Sequence, residues 1–560
     1  MISAMNGTIT IRESYRELTD IAAARIADIR SREPLAPVYL LVRSNLAAVQ
    51  LKRFLADELG GIFNIRFLTF PDFLEKIESE RGEMPEKLSP ASPRLIMEKM
   101  KHQGSVPRYF SGISESSGFA DSILRTITDL SEAGLDLEEA ERLAGSGACR
   151  GLPQRVRSVI SMFTGYREEV EKQGVDIHTR FMKAAGGGVA LDGPLLVYGF
   201  YDFNQLQINL LASVASRQRV ELLMVSARDN SFSEASMERL EKAGFSIADE
   251  GEEGRMNPAG LSAVLAEAYD DEGEAGEITR MILETVKDQG VLFRDIGIVF
   301  PSDDCFPPVE EALEEAGVPC YVSRSEGPES SRMVRSLTLL LDLIGGRFGR
   351  KELVEFLLLA PLAVPEERSA GFDPFDLWVG ATAAEGISGQ DDWLKKSSSF
   401  LDDLRLREDN EDTRRLIEAA EIVGGILAET EKARAAVEGR LTWEEISSTV
   451  SSLASRIFRD EIGLEGIFDT GLDRGSTTLN FEAFSGILKK LIRRGNHSRG
   501  SFLSGGVNLL TLQQLRGLSF RVLFLGGLIH EKLPGRIQQD PFIRDREREE
   551  LNRISEGKLF

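Results

Sequence analysis

The sequence predicts an α/β protein built on parallel sheets, and three observations predict it. Apolar runs of strand length, VYLLV at 38–42, LLVYGF at 195–200, VELLMV at 220–225 and VNLLTL at 507–512, are continuous rather than alternating. That is the pattern of strands buried on both faces of a sheet. Between the runs lie stretches with apolar residues three and four apart, the spacing of amphipathic helices. Two regions of purely helical pattern interrupt the alternation. The expected layout is two parallel-sheet domains, each with a helical insertion. Residues 1–88 and 186–260 form the first, interrupted at 89–185. Residues 261–349 and 501–560 form the second, which is truncated, interrupted at 350–500.

The first elements justify this reading locally. After VYLLV, Arg43, Ser44 and Asn45 make a polar turn, and Leu46 to Leu59 carries helical periodicity up to Gly60-Gly61. Ile65 to Phe70 reads as the next strand, followed by a helix beginning near Pro71. Strand, helix, strand, helix implies parallel pairing. From Ser89 to Ala185 the pattern is helical, and Gly186-Gly187-Gly188 reads as a flexible joint. LLVYGF, NQLQINLLASVA and VELLMV then give strand, helix, strand. Residues 249–260 are acidic and glycine-rich, a loop or linker. EITRMILETVKDQGVLFRDIGIVF and PVEEALEEAGVPCYVS supply helix–strand pairs, SSRMVRSLTLLLDLIGG opens the second helical region, and the chain returns to the sheet at Val507–Leu533.

That last stretch, VNLLTLQQLRGLSFRVLFLGGLIHEKL, organises the chain. It reads as two buried strands around a tight polar turn, and α/β sheets place ligands at the carboxyl ends of their strands. Gly517 permits positive φ or close backbone approach. Arg516 supplies a fixed charge suited to a phosphate. An ordinary hairpin with a solvent-facing arginine fits the same pattern.

Composition narrows the function. With 42% hydrophobic and 28% charged residues the chain is an ordinary globular one, and no apolar run is long enough to span a bilayer. The opening MISAMNGTITIRESYREL lacks the build of a signal peptide, so a cytoplasmic location is expected. Cys149, Cys305 and Cys320 are far apart, and the four histidines are scattered, which suggests neither disulfides nor a zinc site. The formal net charge of −23 argues against a general nucleic-acid binder. It leaves room for a basic channel inside an acidic shell, and LKKLIRRGNHSRG at 488–500 is a local basic cluster. No G-x-x-x-x-G-K-[ST] cradle occurs anywhere, so P-loop ATP hydrolysis is not expected of this chain.

TLQQLRGLSFRVLFLGGL at 511–528 resembles the T-x-H-x-x-K-G-L-E-F-x-x-V-F-L-x-G motif of UvrD-like helicase C-terminal domains. LPGRIQQDPFIRDREREEL at 533–551 and VYGFYDFNQLQ at 197–207 are similar to segments of AddB/RexB-type subunits of bacterial ATP-dependent helicase–deoxyribonucleases. The resemblance implies two RecA-like domains and a DNA groove. Its candidate contacts are Arg43, Thr69, Phe70, Thr511, Gln513, Gln514, Arg516 and Gly517, with Thr69 and Phe70 at the place where relatives touch single-stranded DNA. Gln513 stands at the family's His, Arg516 at its Lys and Ser519 at its Glu. Asp202, Gln205 and Glu277 fall at degenerate remnants of a nucleotide site. Local pattern reads Asp202 as a helix cap or turn residue, Glu277 as a helix N-terminal charge and Phe70 as a core residue just as readily.

The resemblance therefore implies an inactivated helicase-like module of double-strand-break repair and recombination. No cofactor is expected in this chain, with ATP and Mg held by an AddA/RexA-type helicase–nuclease partner. The PD-(D/E)XK nuclease domain of such subunits is not expected within these residues, since no Asp followed by Glu-x-Lys is found in a strand–turn–strand setting. An ATP-dependent helicase or exonuclease in its own right is the first alternative. A protein–protein scaffold without DNA contact, which the net charge favours, is the second.

Overall fold

In a computed structural model the chain is described over residues 7–116, 118–145, 151–188, 190–225, 231–250, 262–324, 332–346, 349–363, 373–384, 393–459, 478–493, 497–530, 532–535 and 539–555. Cys149, most of the expected 249–260 linker and residues 494–496 of the basic cluster lie outside these. The chain is α/β and about 60% helical, with a six-stranded parallel sheet and a mixed five-stranded sheet. It divides into two compact units. One comprises 1–87, 106–324 and 498–560, and the other 88–105 and 325–497. Both large sheets belong to the first unit, save His497 at the start of the edge strand 497–499. Residues 88–105, expected with the first helical insertion, belong instead to the second unit, because Ala91 and Leu95 join its core.

The six-stranded sheet consists of β1 (Gly7–Arg12), β2 (Val38–Val42), β3 (Ile65–Leu68), β4 (Leu195–Phe200), β5 (Val220–Val225) and β6 (Ser246–Glu250), in the order β3-β2-β4-β5-β1-β6. Four of these match the expected runs. β1 was not anticipated, because GTITIR is half polar, and yet it lies inside the sheet between β5 and β6. Alternate residues of β2 serve opposite faces, which is why the run carries no polar residue. Val38, Leu40 and Val42 pack with helices α1 (Tyr15–Arg32) and α2 (Asn45–Leu59). Tyr39 and Leu41 pack with α3 (Phe70–Glu80) and α4 (Gln205–Ala215).

The five-stranded sheet runs β11-β8-β12-β7-β13. Its members are β7 (Ile296–Phe300), β8 (Cys320–Arg324), β11 (His497–Arg499), β12 (Val507–Thr511) and β13 (Val522–Leu525). Helices α5 (Asp271–Gln289) and α6 (Phe306–Glu315) cover one face through Ile278, Ile282, Val309 and Leu313. The other face, Val299, Tyr321 and Leu510, packs with Ala47 of α2 and Leu518. This shared cluster joins the two sheets into one unit.

The two strands of the organising stretch are not a hairpin. β12 and β13 both pair parallel to β7, which lies between them. β12 is buried throughout, whereas β13 is an edge strand with Leu523 45% and Leu525 43% exposed. The apolar sequence of the second run predicts a buried strand, but a sheet edge lacks a neighbour on one side.

The segment after β13 seats on the helical insertion of the same unit. The Phe542 ring meets Phe110 and Phe119 edge-on at 5.4 and 5.9 Å. Arg155 binds Glu547 at 2.7 Å and also donates to the Phe542 carbonyl at 2.9 Å. Arg548 of α8 (Asp545–Ile554) reaches Asp129 at 2.8 Å, α7 being the short turn Leu512–Leu515. The triple glycine is held rather than loose. Arg81 donates to the carbonyls of Lys183, Ala184 and Gly188 at 3.2, 2.9 and 3.2 Å.

The second unit is helical, with a small antiparallel pair, β9 (Leu441–Thr442) and β10 (Thr478–Leu479). Its core gathers Leu340, Phe356, Trp378, Phe400, Val423, Ile446 and Phe484. Within it Lys489 of the basic cluster is paired with Asp342 at 2.5 Å, so that cluster is partly neutralised.

Candidate functional site

The first βα turn of a doubly wound sheet is where a phosphate is usually cradled, against helix-terminal amides. Here that turn, between β1 and α1, is Glu13-Ser14, and it carries no glycine. Ser14 caps α1, its side chain accepting from the Glu17 N–H at 3.2 Å. Tyr15 follows and fills the place beside it. Its hydroxyl donates to the Gly199 carbonyl at 3.4 Å. Burial raises the Tyr15 pKa, against the lowering effect of Arg43, so the hydroxyl stays protonated. Gly199, with φ of +77°, lies near the end of β4 and so close to this ring that a Cβ would lie 3.2 Å from it.

Two arginines converge on the residue after β4's end. The Arg43 guanidinium, from the carboxyl end of β2, stands 4.5 Å over the Tyr201 ring, and that of Arg516 5.6 Å over it. Arg43 also binds Asp202 through Nη1 at 3.0 Å. Among the described residues no carboxylate is paired with Arg516, and its side chain is exposed. The cluster thus holds two guanidinium charges and one carboxylate. A guanidinium fixed against an aromatic face with its donors open is suited to a planar or tetrahedral anion.

The loop carrying Arg516 is built by its own sequence. Thr511 ends β12 and caps α7. Its N–H donates to Gln514 Oε1 at 2.9 Å, and its hydroxyl accepts from the Gln514 N–H at 3.4 Å. Gln514 Nε2 continues to Ser323 at 3.0 Å. Gly517 then turns the chain at φ +82°, a conformation that L side chains rarely adopt. Gln50 of α2 clamps the next residue from both sides, accepting from Ser519 N–H at 2.9 Å and donating to its carbonyl at 2.7 Å. Beside this loop lies a hollow of about 620 Å³, lined among others by Tyr15, Leu512, Gln513, Arg516, Phe520 and Leu523.

The sequence-derived candidates separate into two groups. Arg43, Asp202, Arg516 and Gly517 come together, and Gln513 lines the adjoining hollow. Thr511 and Gln514 hold the loop through the capping box. Thr69 and Phe70 are engaged within the fold. Both the N–H and the hydroxyl of Thr69 donate to Asp72 at the start of α3. Phe70 is 7% exposed, between Phe181 and Phe200 at 5.7 and 5.6 Å, so its ring has no free face for a base. Asp202 is not the cap of α4; Asn204 is, leaving Asp202 for Arg43. Gln205 points along the exposed side of α4 to Asn209 at 2.9 Å. Glu277 pairs with Arg280 at 2.5 Å on the solvent side of α5, and that contact lowers its pKa. One turn earlier Glu274 accepts from the Gly527 N–H at 2.9 Å, fixing the end of β13. Tyr15, Tyr201 and Gln50 carried no motif signal. Only adjacency to a missing phosphate loop could have pointed to Tyr15.

Compared with protein-family models and with curated proteins, the chain matches none.

Proposed function

We propose that this chain is an inactivated helicase-like DNA-binding subunit, similar to the helicase-like part of AddB/RexB-type proteins and built on two RecA-like domains of the UvrD-like arrangement. It would act in double-strand-break processing beside an ATP-hydrolysing helicase–nuclease partner of AddA/RexA type. The observation that carries the reading is the fate of the strand ends in the two sheets. Where a nucleotide cradle would need glycine, lysine and a free carboxylate, Tyr15 fills the turn and Arg43 occupies Asp202. Arg516, at the matching place of the family's lysine, keeps an open guanidinium. The arrangement has lost what triphosphate hydrolysis requires and kept a cation for a phosphate backbone.

The test is a fluorescence-anisotropy titration with a labelled single-strand/duplex junction, at low and moderate salt, with and without ATP and magnesium. Salt-sensitive binding that ignores ATP is expected. ATP-dependent release would overturn the inactive reading. Absence of binding at low salt would leave the scaffold reading, which the net charge of −23 and the Lys489–Asp342 pair favour.

A further inference from the structure

We infer that the hollow beside Arg516 binds a single nucleotide unit, a planar base carrying one phosphate, either free or as one residue of a single strand. The strand source rests on the DNA-binding function proposed above; the chemistry of the hollow does not.

Its place comes first. The carboxyl ends of β1 and β4 and that of β12 meet around Tyr15, which bonds to Gly199 and lines the hollow together with Gly517. Ligands in open parallel sheets are bound outside such ends. The volume of about 620 Å³ is that of a small-molecule site.

The lining sets the ligand class. Leu512, Leu515, Phe520 and Leu523 make it mainly apolar, with Tyr15 adding a second aromatic ring. Apolar walls with aromatic rings suit the faces of a base, which are sequence-tolerant partners. Arg516 lines the same hollow and is the one described cation there. Its fork is preset by the Tyr201 ring, so it offers two parallel donors to one phosphate. Arg43, the nearest further cation to Tyr201, is taken by Asp202. One open guanidinium matches a monophosphate and not a magnesium-bound triphosphate, for which the hollow supplies neither a lysine nor a free carboxylate.

The neighbouring contacts keep the hollow from collapsing. Gln50 holds Ser519 at both its N–H and carbonyl. The Phe520 ring is braced on Gly297 of β7, where a Cβ would lie 2.7 Å from the ring. A pre-formed hollow with an unpaired charge is a binding site whose ordering cost has already been met by the fold.

The experiment uses the full chain and two probes, 2-aminopurine deoxyriboside 5′-monophosphate and an oligo-dT carrying one 2-aminopurine. Base fluorescence reads stacking in the hollow, and anisotropy of an end label on the oligonucleotide reads strand binding. Both probes are expected to be quenched on binding. Arg516→Ala should weaken each by roughly tenfold, the scale of one charged hydrogen-bonded contact. Leu523→Trp, at a half-exposed edge position that keeps the fold, should abolish quenching while strand binding falls less than threefold. ATP with magnesium should compete no better than the monophosphate. Strand binding with unchanged 2-aminopurine emission, or quenching indifferent to Leu523→Trp, would overturn the inference and leave the DNA-binding function standing. Quenching of the monophosphate without strand binding would uphold the hollow and sink that function. No response from either probe would sink both.

Discussion

Replacing Asp202 by asparagine tests the charge arithmetic of the site most directly. In the native protein Asp202 neutralises Arg43, and Arg516 alone is open. The Asp202→Asn change is nearly isosteric and removes one negative charge. Arg43 would stay over Tyr201, held at 4.5 Å, and become a second free cation. The stability cost is small. The paired side chains are 22% and 40% exposed, so after solvent screening the pair is worth no more than about 1 kcal/mol. Arg239, whose guanidinium is partly desolvated and senses Asp202, adds to that cost in the same direction. Binding should move the other way. Each additional phosphate contact to a single strand steepens the dependence of log K on log salt by about 0.7. Asp202→Asn should therefore tighten oligonucleotide binding at low salt and steepen the slope by about 0.7, and Arg516→Ala should flatten it by about the same amount. The assay is anisotropy over a salt series, with melting followed in parallel. Weaker binding or an unchanged slope in Asp202→Asn, with the fold intact, would refute the view that these guanidinium groups face a phosphate backbone.

Further predictions follow from the same contacts. Phe70→Ala should cost about 3–5 kcal/mol in chemical denaturation, because it empties a packed aromatic site, while DNA affinity per folded molecule stays unchanged; a loss of affinity without loss of stability would restore Phe70 as a base contact. Glu277→Gln should alter neither melting nor binding, since its partner Arg280 also pairs with Glu284 on an exposed face. Asp176 should make stability acid-sensitive. Burial alone would raise its pKa, but hydrogen bonds from His178 and Thr179 and the Arg167 charge hold it well below the usual carboxylate range. A folded-state pKa below the unfolded value of about 3.9 means a contribution present above that pH and lost as pH falls through the native pKa. Asp176→Asn should flatten the acid limb of a stability–pH curve, and an unaltered limb would contradict this. Cys320, pushed up to about 12 by burial, should resist iodoacetamide at pH 8 in the native protein and react on unfolding, as read by peptide mass spectrometry.

The sequence by itself determined the local layers. VYLLV, LLVYGF and VELLMV are strands at the expected residues, because both faces of an interior parallel strand must be apolar. Gly517 was legible because a tight polar turn beside a strand calls for positive φ. Arg516 and Arg43 were legible as charges at strand ends, though not as partners of one ring. What the tertiary structure alone decided is non-local. β1 reads as half polar, and its interior place comes from strands more than 200 residues later in the chain, Val220–Val225 and Ser246–Glu250. Tyr15 bonds to Gly199 and lines one hollow with Gly517, and Gln50 meets Ser519, 469 residues away; no periodicity encodes such pairs. Phe70 is a single phenylalanine after a strand, and only packing shows that it is enclosed by Phe181 and Phe200. Side-chain periodicity specifies which face of an element is buried. Which two faces meet, and hence which arginine keeps its charge open, depends on the crossings of the chain between sheets, and those are fixed only when the whole core closes.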